Sequence, residues 1–200
     1  MDKPLSDIDL ILASASPRRA ELLRQIGVRF AVHPADIDES QYPNEAVEDY
    51  VQRMACEKAQ TVARQKPTNE LPVLGADTTV VLEQQVFPKP ASKAEAIATL
   101  RALSGRNHRV LSAIAVVAGG RTGLSLSETS VRFREIEEQE YERYWSTGEP
   151  LGKAGAYAIQ GLGAVFVEAI TGSYSGVVGL PLMQTFELFE RFNIACWNAP

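Results

Sequence analysis

The chain has 200 residues, 45% hydrophobic and 22% charged, enough for a core that buries roughly 70% of the surface its unfolded form would expose. That composition excludes a disordered chain, a collagen and a coiled coil, and the longest unbroken apolar stretch, Ala113 to Ala118, is far short of the ~20 residues of a spanning helix. Twenty basic against twenty-five acidic side chains leave a formal charge of -5, without the electrostatic footprint of a duplex-binding protein, although a small anionic ligand needs only a local positive cluster. The opening Met1-Asp2-Lys3-Pro4 lacks a basic flank leading into an apolar core, and Cys56 and Cys196 give neither metal-ligand spacing nor a disulfide framework, so a cytoplasmic protein is expected.

In chain order, Ile8 to Ala13 reads as a buried strand, Pro17 to Ile26 as a helix stopped by Gly27, and Val28 to Val32 as a second strand. A longer helix follows from Glu45 to about Arg64 with Asn44 as its cap. Val73 to Leu82 is strand-like, and after a turn at Glu83-Gln84-Gln85 a short return strand begins at Val86-Phe87, cut off by Pro88 and Pro90. Ser92-Lys93-Ala94-Glu95 is a capping box that opens a helix to Leu103, closed by Gly105. His108 to Val117 and Leu124 to Phe133 form two long strands joined through Gly119-Gly120, a hairpin signal. A helix from about Ile136 to Trp145 stops at Gly148, Val165 to Ile170 returns as a strand, and Pro181 opens the last helix at its first position. Strands interleave with helices but include hairpins, which predicts a mixed α/β sheet flanked by helices in a single domain over residues 1–200, with room for two lobes.

The segment Ser14-Ala15-Ser16-Pro17-Arg18-Arg19 lies between a buried strand and a helix, with Ser16 as cap and Pro17 first in the helix. Backbone N–H groups converge at such a junction, and Arg18 and Arg19 fall in the first turn, where the macrodipole disfavours a cation by ~0.3 to 1 kcal/mol. An anion held there would reverse that sign; the alternative is that both arginines reach sideways to surface carboxylates. Lys58 sits within the apolar stripe Val47, Tyr50, Val51, Met54 and Val62, so its ammonium must meet a partner or snorkel to water. Cys56 projects from the opposite face and reads as inert.

Asp77, in Gly75-Ala76-Asp77-Thr78-Thr79, breaks a strand of Val, Leu and Ala, where Asp is depleted. It is the structural partner of Lys58, a metal ligand, or a base that activates water. The acidic run Asp36-Ile37-Asp38-Glu39 offers a further metal ligand or a solvated loop, and Lys89 is pinned between Pro88 and Pro90, which aims its side chain or only stiffens the loop. Residues 152–163, from Gly152-Lys153-Ala154 through Gln160-Gly161-Leu162-Gly163, match neither a P-loop nor G-x-G-x-x-G. Close backbone approach to a ligand, with Gln160 as donor and acceptor to a base edge, is one reading of these glycines; a loop of tight turns is the other. His33 and His108 are too isolated for a zinc site.

In order along the chain, Ser14-Ala15-Ser16-Pro17-Arg18-Arg19 with Glu21-Leu22-Leu23, Glu57-Lys58-Ala59, Gly75-Ala76-Asp77-Thr78, Lys89-Pro90, Gly155-Ala156-Tyr157 to Gln160-Gly161, and Gly172-Ser173-Tyr174 leading to Val178-Gly179-Leu180-Pro181 resemble the Maf family of nucleotide pyrophosphatases from Leu10 to about Phe192. The resemblance implies an elongated two-lobed α/β fold with a central cleft, shared with inosine triphosphate pyrophosphatases. It also implies a cytoplasmic, metal-dependent enzyme that cleaves a nucleoside triphosphate to the monophosphate and pyrophosphate. By the same carry-over Asp77 is the proton acceptor, and Arg18, Thr78 and Gln160 match the positions that distinguish the branch acting on dTTP and UTP. Ser14, Arg18, Arg19, Lys58 and Lys89 would then bind substrate, and Mg²⁺ or Mn²⁺ would bridge Asp77 or Glu39 to phosphate oxygens. Phe87-Pro88 before Lys89 departs from the family pattern, where relatives of this branch carry an acidic residue. The expected partner is a small nucleoside triphosphate, with neither nucleic acid nor membrane, and a homodimer as the assembly left open. A nucleotide-binding regulator of cell division is the rival, because the family is also associated with inhibition of septum formation.

Overall fold

The structure, a computed structural model, describes residues 8–65 and 71–198; the opening residues 1–4 read above lie outside the described residues. Among the described residues seven strands make one mixed sheet in the order β2-β1-β3-β5-β6-β7, with β4 paired to β3. Chain contacts divide into two compact units, one drawn from Met1–Asp77, Ser112–Ser127 and Gly179–Pro200, the other from Thr78–Leu111 and Glu128–Val178.

In the first unit β1 (Leu10–Leu12) is buried at every position, as a strand flanked on both sides reads in a continuous apolar run. It runs parallel to β2 (Phe30–Val32), with Leu10 opposite Phe30, and parallel to the start of β3 (Val73–Leu82), with Ile11 opposite Val73. Helix α1 (Pro17–Gln25) has Ser16 as N-cap and Pro17 at its first position, and Gly27 at φ +68 turns the chain out of it, as expected. Helix α2 (Val47–Gln65) starts two residues later than Glu45. Asn44 adopts a left-handed φ of 60 instead of capping, and Glu45 spends its carboxylate on Arg53 (2.6 Å to Nε) and on the Tyr42 amide (3.0 Å). The last helix, α6 (Leu182–Arg191), begins one residue beyond the expected position because Pro181 is its N-cap.

In the second unit β4 (Gln85–Phe87) turns back antiparallel on β3, with Val80 opposite Phe87. Helix α3 (Lys93–Leu103) shows half of the expected capping box: Ser92 Oγ accepts from the Glu95 amide at 3.2 Å, but the Glu95 carboxylate takes the Ala91 amide, not that of Ser92. Strands β5 (Asn107–Ala118) and β6 (Arg121–Phe133) have residues in both units and are linked, in the first, by Gly119 and Gly120 at φ 55 and 74, the paired positive φ of a type I′ hairpin turn. Helix α4 (Glu138–Ser146) begins behind a Glu137/Glu140 capping box, so it starts later than Ile136. Strand β7 (Val167–Thr171) pairs antiparallel with β6 through a bulge at Arg132 and Phe133, and the short helix α5 (Tyr174–Val178) has no counterpart among the expected elements. An edge-to-face cluster of Phe133, Tyr157 and His108, with ring centroids 4.8 to 5.5 Å apart, centres this unit's core.

Candidate active site

At the mouth of β1 the backbone enters α1 through residues 14–19. Ser14 Oγ accepts from the Ser16 amide (3.2 Å) and from Arg19 Nη1 (3.0 Å), while Arg19 Nε donates to the Gly179 carbonyl (2.9 Å). Arg19 is turned inward and ties the loop to the segment before α6. Burial pushes the guanidinium pKa of Arg19 down, with Asp77 the leading charge opposing that and Arg18 adding to it. Half-buried Arg18 is likewise lowered by burial and partly compensated by Glu21. Two guanidiniums held short of full solvation at a helix start form a positive site whose own dipole repels them.

Lys58 resolves as the stripe pattern requires. Helix α2 crosses β3 so closely that a Cβ on Gly75 would stand 2.7 Å from the Ala59 amide nitrogen, and Gly75 lies on the same strand face as Asp77. That approach carries the Lys58 ammonium to 2.7 Å from Asp77 Oδ1 and 2.7 Å from Glu39 Oε1. Lys58 and Asp77 are 7% and 9% exposed, so the ammonium pairs and does not snorkel, whereas the Glu39 side chain is 47% exposed. Tyr50 donates to the Glu39 carbonyl at 2.9 Å, and its phenol is pushed up to about 12 by burial and then by the charges of Asp77 and Glu39. Burial also raises the Cys56 thiol pKa, which fits an inert role.

The remaining expected residues belong to the second unit. Thr78 is half-buried, and strand alternation sends it to the face opposite Asp77. Lys89 is exposed between its two prolines. Gln160 is exposed at the centre of a loop whose other backbone groups are tightly held. Glu149 supplies the hold: Oε1 accepts from Tyr144 Oη (2.7 Å) and the Gly163 amide (2.8 Å), and Oε2 from the Leu162 amide (2.9 Å). Tyr144 Oη accepts in turn from the Ala158 amide at 3.3 Å.

This arrangement corrects the ligand-approach reading of two glycines. A Cβ on Gly161 would stand 2.7 Å from Glu149 Cδ, and one on Gly163 would stand 2.6 Å from Tyr144 Oη, so the chain's own side chains demand them. Gly155, at φ +70 and closed in by Val80, is likewise a turn position. Sequence reasoning passed over Glu149 entirely. His108, 2% exposed, meets the Tyr157 hydroxyl through Nε2 at 2.9 Å and has a buried Nδ1 with no hydrogen-bond partner among the described residues.

The model of the Maf-like protein family matches residues 9–192 of this chain. A dTTP/UTP pyrophosphatase of Alcanivorax borkumensis is 53% identical over 190 residues, covering 94% of this chain and 98% of its own. Proteins of the same name from Methylobacillus flagellatus and Hahella chejuensis are 50% and 49% identical, over 93% and 94% of this chain and 94% of each relative. Among solved structures, the Ham1 protein of Staphylococcus aureus overlaps 62% of this chain and 71% of its own at a TM-score of 0.39 and 13% identity, too slight a likeness to rest an argument on. With nearly the whole chain matched and half its residues shared with such relatives, the protein belongs to the family of Maf-like proteins.

Proposed function

We propose that the chain is a nucleoside triphosphate pyrophosphatase that hydrolyses dTTP and UTP to the monophosphate and pyrophosphate. The names of its half-identical relatives support the substrates. The observation that carries the chemistry is the buried Asp77 carboxylate held at 2.7 Å by Lys58, an ammonium shared with Glu39. Asp77 accepts a proton from water as the water oxygen bonds to the α-phosphorus, and the bond from that phosphorus to the bridging oxygen breaks with pyrophosphate leaving. Lys58, at 2.7 Å from Oδ1, orients the carboxylate for that step. Ser14 spends its oxygen as an acceptor toward Ser16 and Arg19, which leaves its own O–H to donate to a phosphate oxygen. The amides at the start of α1 with Arg18 and Arg19 hold the phosphates, and Lys89 adds a further positive charge. Gln160 reads the adjacent N3–H and O4 of uracil or thymine, and Arg18 keeps the nucleotide in register for it; Thr78, on the other strand face from Asp77, would contribute through its backbone.

A divalent cation, Mg²⁺ or Mn²⁺, belongs to the same proposal. Asp77 and Glu39 offer hard carboxylate oxygens that already converge on one cationic point, the Lys58 ammonium, and Mg²⁺ is ordinarily held by one or two carboxylates plus substrate phosphates. The metal would polarise a phosphate oxygen as a Lewis acid. Among the described residues no helix is long and apolar enough to cross a membrane, and we assign the reaction to the cytoplasm, where nucleoside triphosphates are drawn on. Turnover of dTTP in ¹⁸O-water tests the bond assignment. The label is expected in the monophosphate alone; label in pyrophosphate, or release of single phosphate, would overturn it.

A further inference from the structure

The carboxylate of Glu149 closes the loop that carries Gln160 from both sides. On the C-terminal side it takes the consecutive amides of Leu162 and Gly163, at 2.9 and 2.8 Å; on the N-terminal side it takes the Tyr144 hydroxyl, which itself takes the Ala158 amide. Two successive N–H groups aimed at one point form an anion nest, and here an internal carboxylate fills it. Glu149 is itself fixed, its carbonyl accepting from Lys153 Nζ at 2.6 Å and its amide donating to Thr147 Oγ1 at 3.2 Å. The fit leaves no slack, because a Cβ on Gly161 would stand 2.7 Å from Glu149 Cδ and one on Gly163 would stand 2.6 Å from Tyr144 Oη. Gln160 is thus an exposed side chain between two held points of the backbone, the Ala158 amide two residues before it and the Leu162 amide two after.

We propose that Glu149 is a positioning residue that fixes Gln160 and through it sets the preference for uracil and thymine. The proposal rests on the reading of Gln160 as the base contact. Gln160 meets O4 and N3–H together only where the backbone that carries it sets its reach and angle to the base edge, and a loosened loop relaxes that geometry and with it the advantage of uracil and thymine over cytosine. Glu149→Gln keeps the shape but leaves one acceptor oxygen for three donors, and its NH₂ would face an N–H or O–H donor.

The test compares kcat/KM for dTTP and CTP in wild type, Glu149→Gln, Gln160→Ala and the double variant, with hydrogen exchange of the Leu162 and Gly163 amides in the whole protein. In Glu149→Gln the dTTP-to-CTP ratio is expected to fall about 10-fold, the usual scale for one oriented hydrogen bond, mainly through KM for dTTP, as both amides exchange faster. Adding Glu149→Gln to Gln160→Ala should change the ratio no further, because the two act through one contact. A ratio unchanged in Glu149→Gln despite loosened amides would overturn the positioning role while leaving Gln160 as the base contact. A ratio that falls equally in both backgrounds would show a general structural effect and overturn it too. Gln160→Ala with the wild-type ratio would instead defeat the reading of Gln160 itself. Should Glu149→Gln fold poorly, Gly161→Ala displaces the same carboxylate with a methyl group, and the same loss of ratio is expected.

Discussion

Asp77 and Glu149 are both carboxylates drawn out of bulk water, and they are satisfied in opposite ways. Asp77 meets a charged partner, the Lys58 ammonium, which also pairs with a half-exposed Glu39. Glu149 is met by neutral donors, a tyrosine hydroxyl and two backbone amides. Burial works to raise the pKa of Glu149, yet the Leu162 amide, the Tyr144 hydroxyl, the Gly163 amide and Lys153 outweigh it and the net shift is downward. A carboxylate held by a shared charge keeps the capacity to exchange that partner for a proton or a metal. One held by neutral donors can only give shape.

The largest effect expected from this contrast is kinetic. Asp77→Asn keeps the size and the contact with Lys58, which retains Glu39 as a charged partner, but removes basicity, so turnover should fall ~10²-fold or more in a protein that still folds. An unchanged rate in a folded variant would make Asp77 as structural as Glu149.

A third buried titratable group, His108, is held by a neutral partner and should write its environment into the pH dependence of stability. Burial lowers its pKa from 6.5 to about 4. The unfolded chain therefore binds a proton that the folded one refuses as pH falls from 6.5 toward 4, and stability is lost across that window, ~3 kcal/mol in all. Melting temperatures between pH 7 and 4 should show the slope, and His108→Gln should flatten it. A wild-type profile level over that range would contradict the assignment.

Lys58→Met keeps the apolar stem on the α2 stripe while stripping Asp77 of its charge partner. Removal of one member of a buried pair costs ~3 to 5 kcal/mol, and because the Glu39 that shares Lys58 is half-exposed the loss in a urea melt is expected to fall below that range, with a raised KM for dTTP in the folded fraction. A loss of stability with KM untouched would move Lys58 out of phosphate binding and leave it a purely structural partner.

On the neutral side, Tyr144→Phe removes one donor to Glu149 and the acceptor of the Ala158 amide, and should cost ~1 kcal/mol. Stability equal to wild type would mean that water replaces the hydroxyl without loss.

The contrast also explains what could be read from the residues alone. Arg18 and Arg19 at a helix start, Lys58 on an apolar stripe and Asp77 inside a Val-rich strand each break a local rule, and local rules are visible in one sequence. Strand β3 matched its expected span, Val73 to Leu82, because β-branched and apolar residues fill both of its ends and the Glu83-Gln84 turn bounds it. Glu149 breaks no rule: Gly148-Glu149-Pro150 has the composition of a solvated turn, and its partners lie thirteen and fourteen residues further on. The glycines of that loop were legible as a need for space, but not which atoms fill it. Asn44 has the chemistry of a cap, yet the Glu45–Arg53 pairing holds the chain away from the helix there, and α5 is too short to carry a period.

The most direct test of the account is pyrophosphate release by wild-type protein over dTTP, UTP, CTP, ATP and GTP, with and without added Mg²⁺ or Mn²⁺. Metal-dependent turnover is expected, with kcat/KM for dTTP and UTP at least ~10-fold above the others, the equivalent of about 1.4 kcal/mol of discrimination. Equal rates on CTP and GTP, or no pyrophosphate from any of the five, would contradict it.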